Sequence, residues 1–219
     1  MCGRFTLTTS PDQLQITFEL SERPPAELGP RYNIAPTQPI AVITNHEPRK
    51  LELFKWGLIP SWAKDPKIGH SLINARGETV AEKPAFRAAL KRRRCLILAD
   101  GFYEWKKEGR AKTPMYIQLK DGQPFAFAGL WEVWQAADGS SVPTCTIITT
   151  TPNKLMENIH DRMPVILPPK AYALWLTPGE LPAGEAQALL QPFAASKMKA
   201  RAVSTLVNNP RIDNAQILQ

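Results

Sequence analysis

Cys2 is the residue whose chemistry depends most on its place in the chain. An initiator Met is normally removed when the next residue is as small as Cys. The chain then begins with a free α-amine and a thiol on adjacent carbons, a 1,2-aminothiol that only an N-terminal Cys offers. The amine, with an ordinary pKa of about 7.7–8.0, is partly neutral and nucleophilic at physiological pH. The thiol has an ordinary pKa of about 8.5. Together they can trap an aldehyde: the amine forms a Schiff base and the sulfur closes a thiazolidine ring. The alternative chemistry is that of an N-terminal nucleophile hydrolase attacking an amide. Read alone, Cys2 is also simply a small residue near a chain end.

Three further constellations carry polar groups at junctions between apolar runs. In Leu72-Ile-Asn-Ala-Arg76, Asn74 offers an amide that orients a nucleophile, and Arg76 a planar fork that matches phosphate. The same pattern describes a strand end with a solvated Arg. In Ala99-Asp-Gly-Phe-Tyr-Glu-Trp105, Glu104 stands between aromatic neighbours. Desolvation there would raise its pKa and suit acid–base work; simple strand alternation would instead turn it to water. In Asn158-Ile-His-Asp-Arg-Met-Pro164, His160 is placed to move protons and Arg162 to contact phosphate, or His160 only interacts with a helix end. Trp56-Gly-Leu-Ile-Pro-Ser-Trp62 and Arg31-Tyr-Asn-Ile-Ala-Pro-Thr-Gln38 are rich in aromatics and turn residues. Aromatic side chains beside cations stack bases of single strands, but Trp56 reads as core. Lys91-Arg-Arg-Arg94 reads as a solvated helix end, with a phosphate-facing patch as the alternative.

These residues need elements to hold them. Strand-like runs fall at Ile40–Thr44, Leu51–Trp56, Cys95–Asp100, Met115–Leu119, Phe125–Trp131, Thr144–Thr149 and Val165–Leu167. Asp121-Gly122 reads as a hairpin turn, and Asp138-Gly139 as another between Trp131–Gln135 and Thr144–Thr149. Ser10-Pro11 predicts an N-cap followed by Pro in the first helical turn, and Pro84–Arg93, Pro152–Ile159 and Pro168–Leu176 have a similar Pro-led entry. Strands follow one another through short turns without regular helix alternation. This predicts an α+β fold with largely antiparallel sheets rather than a doubly wound one. With 219 residues and no linker-like stretch, the chain reads as one domain over 1–219, its polar tail after about residue 208 peripheral.

Composition removes several classes. Hydrophobic residues at 43% and charged residues at 21% exclude wholesale disorder. No run approaches the roughly 18–20 apolar residues that span a bilayer, and the first twenty residues lack a secretory pattern. Cys rather than Gly at position 2 excludes N-myristoylation. Three Cys (2, 95 and 145) and three His (46, 70 and 160) show neither a disulfide framework nor metal-ligand spacing, so a metal site is not expected. The formal net charge of +7 favours an anionic partner without naming it. The 21 Pro against 12 Gly predict fixed turns and helix starts.

The joint order of six motifs goes further. Met1-Cys-Gly-Arg-Phe5, Arg31-Tyr-Asn-Ile-Ala-Pro36, Trp56-Gly-Leu-Ile-Pro60, Ile73-Asn-Ala-Arg-Gly-Glu78, Asp100-Gly-Phe-Tyr-Glu-Trp-Lys106 and Ile159-His-Asp-Arg-Met-Pro164 follow one another. In this the chain resembles the SOS response-associated peptidase (SRAP) family from Cys2 to about Val203. The resemblance implies a single α+β domain with a distorted antiparallel barrel-like core and flanking helices. It implies protection of abasic sites in single-stranded DNA, through a covalent crosslink formed by the N-terminal Cys. The reactive Cys falls on Cys2, and the supporting Asn, Glu and His on Asn74, Glu104 and His160. DNA contacts fall on Arg4, Arg76 and Arg162, with a stacking or wedge role on Trp62. Ser61-Trp62 stands where some relatives have two adjacent Trp. No cofactor or metal is implied, and the expected setting is a cytoplasmic monomer, nucleoid-associated when engaged. The family name carries a second reading, a cysteine peptidase whose minimal activity removes its own Met1. A third is a non-covalent binder of modified DNA.

Overall fold

Runs that are apolar throughout are buried on both faces, and here they close on one another. In the computed structural model, which describes residues 2–25, 28–109 and 111–219, the strands in chain order are β1 (Phe5–Leu7), β2 (Arg31–Ile34), β3 (Pro39–Thr44), β4 (Leu51–Trp56), β5 (Asn74–Arg76), β6 (Arg94–Ala99), β7 (Gly101–Glu108), β8 (Ala111–Leu119), β9 (Phe125–Gln135), β10 (Ser141–Thr150), β11 (Met163–Pro164), β12 (Ile166–Leu167) and β13 (Met198–Ala202). The helices are α1 (Pro11–Phe18), α2 (Arg87–Arg92), α3 (Tyr172–Trp175) and α4 (Ala183–Ala188), joined by short 3-10 turns.

Strands β4, β3, β6, β9 and β10 form a closed barrel. Every residue of β6 is buried, as is β9 from Phe125 to Trp131. That burial is why these segments read as continuous apolar runs rather than alternating ones. The ladders are antiparallel except at the closure. There β10 pairs in parallel with β4 (Thr144 with Lys55, Cys145 with Trp56) and then with β5 (Ile147 with Asn74, Thr149 with Arg76). The barrel-like α+β expectation agrees with this fold, with the parallel seam as the refinement. A second sheet, in the order β13-β8-β7-β1-β2, lies against the barrel. Phe5 of β1 fits its ring edge-on to Trp56 and Phe127, centroids 5.2 and 5.8 Å away.

Ser10 caps α1 as its sequence predicts, its hydroxyl accepting from the Gln13 amide with Pro11 in the first turn. Asp138-Gly139 turns a true hairpin, Gln135 opposite Ser141. Asp121-Gly122 does not: β8 belongs to the second sheet and β9 to the barrel, so the turn passes the chain between sheets. The Pro-led helices at Pro84 and Pro152 shrink to Arg87–Arg92 and to a 3-10 turn at Met156–Asn158. Asn153 Oδ1 accepts from the amides of Leu155 and Met156, a side-chain turn that competes with a regular helix.

The basic run at Lys91–Arg94 is not uniformly solvated. Arg94 is fully buried and donates to the carbonyls of Leu90, Lys91, Trp175, Thr177 and Gly179. It gathers the carbonyl ends of α2 and α3, a role its neighbours in sequence do not reveal. Polarity also understates the attachment of the tail past residue 208. Asp213 accepts from Arg31 and from the amides of Tyr32 and Asn33, and Ile217 is fully buried. Among the described residues no helix is long and apolar enough to cross a membrane.

Candidate active site

Two ladders bring the chemistry-bearing residues together. The first is β1 against β7, with Phe5 opposite Phe102 and Thr6 opposite Gly101. The Tyr103 amide donates to the Arg4 carbonyl at 2.9 Å, carrying the ladder on toward Cys2 and Glu104. Asp100 anchors β1 from the start of β7. One carboxylate oxygen accepts from the Thr6 hydroxyl at 2.5 Å, and the other from the amides and hydroxyls of Thr8 and Thr9 at 2.5–3.0 Å. Gly101 follows because a Cβ there would lie 2.2 Å from the Tyr116 ring. The second ladder is the end of β10, with β5 paired to Ile147–Thr149 and β11 to Thr149–Thr150. Asn74 begins β5, and His160 lies just before β11.

The four residues expected to do chemistry converge. Asn74 Nδ2 donates to the Cys2 carbonyl at 2.8 Å. Its Oδ1 is buried and has no hydrogen-bond partner among the described residues. Cys2 is fully buried, and burial, reinforced by the negative charge of Glu104, pushes its thiol well above the ordinary range. Glu104 is also buried, and desolvation is the largest reason its carboxyl is pushed up to about 7. His160 Nε2 lies 3.8 Å from Glu104 Oε2.

Among the described residues, two neighbours of His160 Nδ1 ask for opposite protonation states. The Arg162 amide donates to Nδ1 at 3.0 Å, which places the proton of a neutral ring on Nε2, toward Glu104. Asp161 Oδ1 is 2.8 Å from the same Nδ1, a contact suited to the protonated ring. Burial holds the His160 pKa below its ordinary value and the Asp161 side chain is 87% exposed, so the neutral ring with the Arg162 contact prevails at neutral pH. Met1, whose removal the aminothiol chemistry requires, lies outside the described residues.

The four residues assigned to DNA divide. Trp62 is 60% exposed, and with Arg76 it lines a groove of about 410 Å³ that also contains Asn74, Lys83 and Phe86. Arg4 is turned inward, Nη1 donating to Asn33 Oδ1 at 2.8 Å and to the Val207 carbonyl at 2.6 Å. Arg162 is gripped by both oxygens of Glu78, at 2.6 and 2.9 Å, and also donates to the Thr149 carbonyl. Arg4 and Arg162 are thus held by other groups of the protein, whereas Arg76 and Trp62 face outward. Trp56 is core, its indole N–H donating to the Ile73 carbonyl just ahead of Asn74.

A second groove, about 440 Å³, opens over Glu104 and His160 and is lined by Trp105, Lys107, Lys112 and Asn208. No sequence motif singles out the two lysines. Lys107 and Lys112 lie five apart and become neighbours only through the β7–β8 register. The larger cavity of about 560 Å³ between Lys120, Phe125, Tyr172 and Phe193 contains none of the candidate residues. Among the described residues no three or more His, Cys, Asp and Glu side chains are grouped to hold a metal.

Residues 1–210 match the family model described as SOS response associated peptidase (SRAP). The chain is 49% identical over 222 residues to "Abasic site processing protein YoqW" of Bacillus subtilis (strain 168), covering 100% of this chain and 99% of the relative. It is 32% identical to "Abasic site processing protein YedK" of Escherichia coli (strain K12), covering 100% and 99%. It is 33% identical to "Abasic site processing protein HMCES" of Xenopus tropicalis, covering 96% of this chain and 76% of that one. A crystal structure of a protein from Bacteroides thetaiotaomicron, 29% identical, superposes with a TM-score of 0.89 over 100% of this chain and 99% of that chain.

Proposed function

This chain belongs to the SOS response-associated peptidase (SRAP) family, and we propose on that premise that it captures abasic sites in single-stranded DNA as a covalent thiazolidine on Cys2. The relatives' shared description as abasic site processing proteins supports the substrate class. The observation that carries the chemistry is the convergence on Cys2 of Asn74, at 2.8 Å from its carbonyl, and of a Glu104–His160 pair 3.8 Å apart.

An abasic deoxyribose is mostly a closed hemiacetal, and only its open form carries an aldehyde at C1′. Glu104, with a pKa near 7, is part acid and part base at neutral pH and moves the proton that opens the ring. With Met1 removed, the Cys2 α-amine attacks C1′, and the carbinolamine loses water to give an imine. The Cys2 thiol stays protonated because it is buried. Its sulfur therefore bonds to C1′ as its proton passes to the nitrogen–carboxylate network, closing the ring. The balance is aldehyde plus aminothiol giving thiazolidine plus one water. Ring closure removes the imine that would otherwise draw electrons for β-elimination, so the DNA strand stays intact. Asn74 holds the Cys2 backbone in register through these steps. In reverse, His160 supplies the proton that releases the sulfur or nitrogen.

The geometry favours this over a thiol peptidase. A peptidase site pairs thiolate with imidazolium, and the Asn orients the His. Here burial raises the thiol and lowers the imidazole, and Asn74 binds Cys2 rather than His160. The test is incubation of the purified protein with a strand carrying one abasic site, followed by a denaturing gel. A heat-stable band of retarded strand is expected for the wild type and no such band for Cys2→Ala. Retention of the band by Cys2→Ala overturns the proposal, and turnover of unrelated peptides would support the peptidase reading.

A further inference from the structure

We propose that Lys107 and Lys112 form a phosphate subsite, which receives the strand segment next to the reacting sugar on the side of Glu104 and His160. The inference rests on the crosslinking reading for what the site reacts with, but not for the subsite itself.

The two lysines are directly opposite one another on β7 and β8. Such partners have Cβ atoms about 4.5–5.5 Å apart, and like charges there are destabilising. Both side chains are exposed, and neither forms an ion pair among the described residues, whereas Lys106 next door pairs with Glu108 at 2.6 Å. An unneutralised cationic pair at that spacing suits an anion held between two ammonium groups. Its setting says which anion. The pair lines the same groove as Glu104 and His160, and the charge of Lys107 reaches His160 closely enough to oppose its protonation. The floor beside the lysines is Trp105, its indole N–H tied to Asn208 Oδ1 at 2.8 Å. A fixed aromatic beside two cations is the makeup of a single-strand platform, with cations for the phosphates and a ring for the base.

Each of two grooves is therefore lined by a residue that acts on the buried Cys2, Asn74 in one and Glu104 in the other. One, with Trp62, Arg76 and Lys83, is reached through Asn74. The other, with Trp105, Lys107 and Lys112, is reached through Glu104 and His160. A strand reacting at Cys2 has a chain on both sides of its abasic sugar, and the two grooves provide a cationic path for each.

The experiment measures non-covalent affinity for a single strand carrying a tetrahydrofuran abasic analogue, which cannot crosslink, as a function of salt. For Lys107→Ala/Lys112→Ala, affinity at about 0.1 M salt should fall about tenfold. Each phosphate neutralised on a single strand contributes about 0.7 to the slope of log affinity against log salt, so losing the one phosphate held between the two ammonium groups should shallow the slope by about 0.7. Lys107→Arg/Lys112→Arg should restore both. With strands ending at the analogue on its 5′ or its 3′ side, the loss should persist for one truncation and vanish for the other. An unchanged slope, or an equal loss with both truncations, overturns the subsite. A wild type that never crosslinks true abasic strands would defeat the reading of Cys2 and leave this measurement intact.

Discussion

Asn74 Nδ2 donates to the carbonyl oxygen of Cys2 at 2.8 Å, across 72 residues of sequence. In the proposed reaction Cys2 is the attacking residue, and this bond holds its backbone from another strand. Its position is therefore fixed from β5, which is itself fixed by its parallel pairing with β10. Asn74→Ala should leave affinity for an abasic analogue within about twofold. It should slow single-turnover crosslinking by about tenfold, the equivalent of one hydrogen bond of roughly 1–1.5 kcal/mol. Equal losses of affinity and rate would show that Asn74 binds the strand rather than Cys2.

Glu104 gives the site a pH signature in stability as well as in rate. Burial holds its folded pKa near 7, above the roughly 4.3 of an unfolded chain. The folded state therefore binds the proton more tightly, and its stability falls as pH rises from about 4.3 toward 7 and then levels off. Glu104→Gln removes this titration. Its melting temperature relative to wild type should be higher at pH 8 than at pH 5, while its crosslinking rate falls at least tenfold. A difference in melting temperature that is flat with pH would place Glu104 in a more solvated setting than the structure gives it.

Arg4 and Arg76 carry the same expectation in sequence and different ones in structure. Arg4 ties β1 to Asn33 and to the Val207 carbonyl, so Arg4→Ala should destabilise the fold by about 2–3 kcal/mol. Arg76 is exposed beside Trp62, so Arg76→Ala should leave the denaturation midpoint unchanged and shallow the salt slope of strand binding by about 0.7. Chemical denaturation and salt titration of the two variants separate these roles; a reversed pattern contradicts the assignment.

Asp100 is the matching test for the N-terminal strand. It accepts from Thr6, Thr8 and Thr9, and Asp100→Asn places an amide against donors that are already committed. A loss of about 3 kcal/mol in denaturant stability is expected. Crosslinking should also be slower at temperatures where the variant is fully folded. A stable variant with a normal rate would mean that β1 is held chiefly by its apolar contacts.

Much of this arrangement is legible in the sequence, and what is not has physical reasons. Two of the barrel strands announce themselves because burial on both faces makes them almost continuously apolar, as Cys95–Ala99 and Phe125–Trp131 show. Cys2, Asn74, Glu104 and His160 each admit a purely structural reading when taken alone; the order of their motifs and the family resemblance it carries single them out, and the fold places them near one another. The short strands β1, β2 and β5 have no such pattern, since three or four residues cannot show a period. Arg94 looks like its basic neighbours, and only the converging carbonyls of two helices distinguish it. Glu78 and Asp100 lie within two of the motifs, but they act on Arg162 and on β1 through space, so their local sequence does not show what they hold. The lysine pair at 107 and 112 exists only through strand register.

The central claim is that both the nitrogen and the sulfur of Cys2 bond to the same sugar carbon. Imine and thiazolidine adducts have the same mass, one water less than protein plus strand, so mass alone does not separate them. The direct measurement is alkylation of the adduct with iodoacetamide and treatment with borohydride, followed by mass spectrometry of the N-terminal peptide. The account predicts a peptide beginning at Cys2, carrying the sugar, neither alkylated at sulfur nor reduced. An adduct whose Cys2 sulfur is alkylated, or a chain still beginning at Met1 that crosslinks equally well, would contradict it.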